Sequence, residues 1–501
     1  MEAYALETSA AAFSQSRERF EALVAWLQSQ EAHGQMHAEV EARLQVDIRE
    51  LARQLEQDHM DLRAQQETRL AEVTGADGVR RSNAETGRDR DLATIFGPVT
   101  VQRITYRKRG HASLHPADGA LNLPEEKHSH GLRLLAATES TRGSFADAAA
   151  AIGRATGYRL GNRQVEELTQ RAAADFDRFY AQRRRHLSVA GDVLVLSYDG
   201  AGVVMRPRGL RPATAKAAGK ATGKLATRLS KGEKPNRKRI AEVGCVYDCA
   251  PRPRVPQDIL PAPGQPHRPR AGPVARGKWL VASITHDAAT VIGQVFDEAV
   301  RRDPEHRRRW VVLVDGNQHQ IDRTHAEAQA RNAEVTIVID FVHVIQYLWR
   351  AAWCFFIEGD PEAERWVHAH GQRILAGRSS DVAAAIRRKA TGAGLELTQR
   401  AGADTCARYL TNKRSYLDYP TALARGWPIA TGVIEGACRH LVKDRMDLTG
   451  ARWGLSSAEA VLKLRALSSN GDFDEYWTFH LAQEKKRVHK AHYANGTIPP
   501  V

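Results

Sequence analysis

Three short stretches, VLVLSYD (193–199), WVVLVDG (310–316) and VTIVID (335–340), are almost unbroken runs of Val, Leu and Ile. A strand with one wet face alternates apolar and polar residues, so a strand without that alternation must be covered on both faces. IAEVGCVYDCA (240–250) and WLVASITHD (279–287) read as further strands, and AGVVMRP (201–207) as a segment returning beside the first run. AATVIGQVFDEAV (288–300) and HAEAQARN (325–332) have helical spacing and fall between the later strands. Strands clustered over 191–343 with helices among them predict an α/β fold built on a mixed sheet. Residues 341–425 read as mostly helical and rich in Trp and Arg, and VIEGACRHLVKDRMD (433–447) as one helix.

The region before residue 191 has a different texture. Residues 13–75 read as long helix, with Leu44, Ile48, Leu51, Leu55 and Leu62 on one apolar seam that packs either on the same chain or on a second copy. Gly75 closes it, and the polar residues 76–92 read as a linker. ATIFGPVTVQRITYRKRG reads as a β-hairpin turning at Gly97-Pro98, with Arg103, Arg107, Lys108 and Arg109 at its end. Residues 144–176 outline two short helices about a tight turn. Ser144 with Asp147 caps the first, Gly157 stops it, and Asn162 caps the second. Val165 and Leu168 then face inward, while Arg163, Gln164 and Glu167 face out. The outline suits a helix-turn-helix, and equally any helical hairpin.

The charge is unevenly spread. The chain has 501 residues, with 73 Lys and Arg against 59 Asp and Glu, a net charge of +14. Residues 206–239 carry much of that excess, including Lys231, Lys234, Arg237 and Lys238 against the lone acid Glu233. This stretch reads as a flexible basic loop that favours a polyanionic partner. No run of about 18 uncharged apolar residues is present, which excludes a membrane-spanning helix. The opening MEAYALETSAAAF lacks the basic start and apolar stretch of a secretory signal, and five scattered cysteines suit a reducing cytoplasm. Cys245 and Cys249 lie too far apart along a strand to chelate one zinc and read as core residues.

Acids stand where apolar runs end. Asp199 and Asp315 each close a run, and Glu435 lies in the first turn of a helix. An acid at a buried strand end needs a reason, and open α/β sheets gather ligand sites beyond strand ends. Such hard oxygen ligands suit Mg²⁺ or Mn²⁺. The plain alternative makes the aspartates turn residues before Gly and Glu435 a helix-dipole partner. Glu435, Arg439 and Lys443, four apart, form one helical stripe that serves either as a solvated ion-pair ladder or as a phosphate-facing surface. Tyr198 reads as a structural neighbour of Asp199. Trp349, Trp353, Trp366 and Trp453 read as packing residues.

The stretches VLVLSYDGAGVVMRP, WVVLVDGNQ, VTIVIDFVHVIQYLW and TGVIEGACRHLVKDRMDLTGARW resemble bacterial insertion-sequence transposases of the ISKra type, relatives of the Mutator-like group of DDE transposases. The resemblance spans about residues 95–480. It implies an RNase H-like catalytic domain with a helical insertion, preceded by a mostly helical DNA-binding region. The implied division is 1–92 helical, 93–190 hairpin plus helix-turn-helix, 191–343 first part of the core with the basic loop, 344–430 insertion, and 431–501 last core helix and tail. It implies Asp199, Asp315 and Glu435 as catalytic metal ligands for Mg²⁺ or Mn²⁺. Asp340 and His343 match the related group's Cys-or-Asp, two residues, His motif. Asp340 is thus a competing second ligand or an N-cap, and His343 a ligand or a group that orders the site. The implied activity is cleavage and strand transfer of double-stranded DNA at the element's terminal inverted repeats and at target DNA. It implies a homodimer or larger assembly, associated with the cytoplasmic nucleoid and with no membrane partner. A regulatory DNA-binding protein and a metal-dependent nuclease without strand transfer are the alternatives.

Overall fold

The structure, a computed structural model, describes residues 12–183, 189, 191–220, 237–261, 271–448 and 450–501. The chain forms two compact units. One is built from residues up to Ala181 together with Gly471–Val501, and the other from Gln182–Asn470.

The first unit opens with helices α1 (Ser14–Leu27) and α2 (His37–Gln66). Leu23, Trp26 and Ala32 pack against Val40 and Leu44, and the Ser16 hydroxyl donates to Asp58 at 2.5 Å. Of the expected seam, Leu44 packs on that cluster and Leu51 and Leu62 are half-buried, whereas Ile48 is 50% exposed and Leu55 44%; the fully buried residues of the helix are Gln54 and Asp58. Polar groups win those positions because each finds a partner, Gln54 bonding Asp58 at 2.8 Å.

Strands β1 (Asn83–Ala93) and β2 (Pro98–Arg107) form the expected hairpin, but its first strand occupies the segment expected to be a linker. NAETGRDRDLA carries no apolar alternation because most of it faces solvent. Pairing with β2 holds it extended, with a register shift around Gly87. Half of the basic cluster at the hairpin end is paired with acids, Arg103 with Asp118 at 3.2 Å and Arg107 with Glu85 at 3.0 Å, while Lys108 and Arg109 are exposed.

Helices α3 (His130–Arg142), α4 (Phe145–Thr156) and α5 (Asn162–Ala172) share a core of Leu132, Ala136, Ile152, Val165 and Leu168. Ser144 and Asp147 form the capping box, and Gly157 ends α4 at φ 72°. Asn162 is not the cap of α5. Gly161 is, and the Gln164 side chain accepts its N–H at 2.9 Å.

The second unit is organised by five strands, β3 (Val193–Val204), β4 (Lys238–Cys249), β5 (Arg276–Ser283), β6 (Trp310–Val314) and β7 (Val335–Ile339). Their order in the sheet is β5-β4-β3-β6-β7. Strand β4 is antiparallel to both of its neighbours, β5 and β3, and β6 and β7 run parallel to β3. The fold is thus mixed α/β. The AGVVMRP segment does not return: β3 runs straight through Asp199-Gly200 to Val204, held by β4 along its whole length. Helix α6 (Ala288–Arg302) seats on β4, where any side chain at Gly244 would run into Val295. Helix α7 (Gln318–Ala330) joins β6 to β7.

After β7 come α8 (Phe341–Ala352), α9 (Pro361–Leu375), α10 (Ser379–Gly392) and α11 (Ala401–Asn412). The 433–447 segment is not one α-helix. It is α12 (Gly432–Ala437), a π-helical stretch Cys438–Lys443, and a last turn Asp444–Met446. Helix α13 (Leu455–Asn470) follows, and the Asn470 amide brackets Leu280 on edge strand β5 at 2.7 and 2.9 Å.

Helix α14 (Phe473–Glu484) belongs to the first unit, so residues 471–501 do not extend the sheet-bearing unit as expected. Its Tyr476 hydroxyl donates to the Ala172 carbonyl at 2.6 Å, and Phe179 stacks edge-on against that ring.

Of the basic stretch 206–239, residues Pro212–Lys220 are helical. Arg239 is a bracing residue that donates to the Ile284 carbonyl at 2.6 Å. No helix among the described residues is long and apolar enough to cross a membrane.

Candidate metal centre

Strand register builds the site. Ser197 on β3 lies opposite Leu313 on β6, and Leu313 lies opposite Val338 on β7. Two residues further along each strand stand Asp199, Asp315 and Asp340. The register thus sets three aspartates in one row across three neighbouring strands, which lie about 4.8 Å apart. Asp199 is not a strand end: it sits in mid-β3, where the parallel partner stops while β4 continues, opposite Val243. Beyond Asp315 the chain must turn sharply. Gly316 has φ +92°, and any side chain there would meet the Tyr409 hydroxyl at 2.6 Å. That hydroxyl donates to the Asp315 carbonyl at 3.0 Å, and the Asn317 N–H donates to the Asp315 carboxylate at 2.8 Å.

Asp340 is fully buried. One of its oxygens accepts the Val342 N–H at 2.9 Å and so caps α8, and the other accepts the Thr431 hydroxyl at 2.6 Å. The His343 Nδ1 lies 3.3 Å from that second oxygen. The expected N-cap role of Asp340 is thus present, and its carboxylate also stands beside His343. Glu435, exposed in the first turn of α12, stands 3.3 Å from the same Thr431 hydroxyl. Ligand atoms of Asp340, His343 and Glu435 all lie within 4.8 Å of one another. Asp199 and Asp315 are not members of this tight set, so the trio Asp199, Asp315 and Glu435 is not the one drawn closest together.

Asp199 is reached from the same helical segment, since the Cys438 Sγ lies 3.8 Å from its Oδ2. Burial and the neighbouring Asp199 charge push the Cys438 thiol well up. Glu435 and Cys438, three residues apart, thus stand near opposite ends of the aspartate row.

The electrostatics are consistent with this geometry. Burial raises the Asp340 carboxyl, but the bonds from His343, Thr431 and Val342 outweigh it and hold it below the usual range. His343 is pushed up, first by its bond to Asp340 and then by the Asp340, Asp315 and Glu435 charges.

No protein-family model and no curated protein matches the chain. The reading of this centre therefore stands on its own donor set, carboxylates with one imidazole, which suits a divalent cation.

The remaining candidates scatter. Tyr198 is buried with its hydroxyl against Thr324, as a structural neighbour should be. Arg439 and Lys443 are exposed, but the π-helical stretch between them breaks the expected stripe with Glu435, and Arg439 stands 3.6 Å from Asp444. Arg163 is exposed and bonds Glu167 at 3.0 Å. Arg237 and Lys238 lead into β4, whereas Lys231 and Lys234 lie outside the described residues. Cys245 and Cys249 are buried in β4, their thiols pushed up to about 12 and about 11 by burial. Trp453 packs in the core and donates to the Met446 carbonyl. Trp353 does not: it is 45% exposed and stacks on Trp349 at 5.1 Å.

Sequence reasoning missed Thr431, whose partner Asp340 lies on another element far along the chain. It also missed a second cluster, in the first unit. There Asp175, His480 and Glu484 gather, all buried. Arg133 donates to Glu484 at 2.7 Å and Arg487 to both Asp175 oxygens at 3.1 Å. Two guanidinium groups supply the positive charge there, so this cluster reads as an internal ion network.

Proposed function

We propose that the protein is a DNA transposase of the DDE type, with an RNase H-like catalytic unit, cutting and joining strands at the terminal inverted repeats of its own insertion sequence. The observation that carries this reading is the row Asp199, Asp315, Asp340 facing Glu435 at one edge of the sheet. The strand order, with β3 central and β4 alone running against the other four strands, is the order such a core calls for. A helical insertion between β7 and α12 suits it as well.

Asp199 and Asp315 present oxygens from adjacent strands, and Glu435 presents its own from α12. Mg²⁺ or Mn²⁺ held there would activate a water or a DNA 3′-hydroxyl and stabilise the leaving 3′-oxygen. No side chain at this edge replaces that chemistry with a covalent one. The Cys438 thiol is buried and kept protonated, and the Thr431 hydroxyl is committed to Asp340. Arg439 and Lys443 stand exposed beyond Glu435, where a phosphate backbone would pass. Arg163, Gln164 and the exposed face of α5 are assigned to the terminal repeats. Arg237, Lys238 and the basic segment before them, with Lys231 and Lys234, are assigned to backbone phosphates. Pairing two element ends calls for a dimer or larger assembly at the nucleoid.

The test is strand transfer from a duplex carrying the gene's flanking repeats into a plasmid. Asp199→Asn, Asp315→Asn and Glu435→Gln should each lower product at least about a hundredfold while DNA binding stays within about twofold. Cleavage without joining in the wild type would favour a nuclease, and binding without cleavage a regulator.

A further inference from the structure

The two Asp–His–Glu clusters of this chain have the same donors and opposite charge balance. In the first unit, Arg133 and Arg487 neutralise Asp175 and Glu484. At the sheet edge, four carboxylates stand at one site, Asp199, Asp315, Asp340 and Glu435, and none makes an ion pair with a lysine or arginine among the described residues. Among the described residues their one ion-pair partner is His343. Asp340 is the buried one of the four, and a buried carboxylate with only an imidazole beside it favours a bound cation.

We infer that Asp340, His343 and Glu435 form a cation subsite with a nitrogen ligand, separate from the all-oxygen pair Asp199 and Asp315. This deepens the proposed function and rests on that reading of the same site. The 3.3 Å between Asp340 Oδ2 and His343 Nδ1 is close to the edge between adjacent ligands of an octahedral first-row ion, about 3.0 Å for bonds of about 2.1 Å. Glu435 is exposed and its long side chain closes the remaining gap, while the Thr431 hydroxyl and the Val342 N–H fix the Asp340 carboxylate in place. An imidazole in the donor set shifts preference from Mg²⁺ toward Mn²⁺ and later first-row ions. The subsite thus takes a borderline transition metal, whereas Asp199 and Asp315 suit Mg²⁺ equally.

The test uses the full chain without DNA and Mn²⁺ alone as the probe, read by electron spin echo envelope modulation. Wild-type protein should show ¹⁴N modulation from a coordinated imidazole, and Mn²⁺ should compete with Mg²⁺ at least tenfold better for that ion. Asp199→Asn should keep the modulation. His343→Ala should abolish it with unchanged circular dichroism, and Glu435→Gln should weaken Mn²⁺ binding at this subsite at least tenfold. Mn²⁺ bound without ¹⁴N modulation, modulation that survives His343→Ala, or no Mn²⁺ binding at all overturns the inference. The two claims fail separately. Nitrogen-coupled Mn²⁺ in a protein that makes no strand-transfer product refutes the enzymatic reading alone, and product without nitrogen coupling refutes the subsite alone.

Discussion

Thr431 shows how much one hydroxyl organises at the sheet edge. Its donation to the buried Asp340 removes one of the costs of holding a carboxylate out of water. Thr431→Val keeps the shape and deletes the donor, and should lower unfolding free energy by about 1–3 kcal/mol in urea titrations, whereas Thr431→Ser should lose less. Asp175 permits a pH test. Burial would raise its carboxyl, but His480 and Arg487 hold it down at about 2. In the unfolded chain it titrates near about 3.9, so the unfolded state takes up the proton first as pH falls. The stabilisation is complete above about pH 4 and is lost as pH drops through about 2. The stability gap between wild type and Asp175→Asn should narrow by about 2 kcal/mol over that window, read by urea unfolding at stepped pH.

Among the elements, legibility followed solvent exposure. The buried strands β3, β6 and β7 announce themselves as apolar runs, and the capping box at Ser144 and Asp147 is readable because capping is local. Strand β1 is not readable, because its charged residues face water and only the partner strand makes it extended. The π-helical turn at Cys438–Lys443 is likewise silent in the sequence, since nothing in the spacing distinguishes it from α-helix. The candidate site divides the same way. Asp199, Asp315 and Glu435 are each visible, but the row that adds Asp340 is a property of register, which no local spacing encodes. Gly157, read correctly as a helix stop, gives the element-scale prediction. It holds φ 72°, and a methyl there would meet the Arg49 guanidinium at 2.6 Å. Gly157→Ala should cost about 1–2 kcal/mol and lower the thermal midpoint of the first unit, followed by differential scanning calorimetry.

For the molecule as a whole, the decisive feature is that residues 471–501 complete the unit begun by residues 12–181. Composition cannot show this, because α14 has no marked apolar face and its partners emerge only in its contacts with Phe179, Ala172 and Asp175. A chain lacking 471–501 should leave the first unit open: limited proteolysis should cut within 12–181 at least about tenfold faster, while fragments of 191–470 persist. Protection of both regions to the same degree would show that the first unit closes without that segment.

The same discontinuity sets an order of events during translation. The segment 12–181 leaves the ribosome long before its missing helix is made, and the intervening sheet can assemble in the meantime. A chain stopped before residue 471 would thus carry all four acids of the candidate site while leaving the first unit without α14.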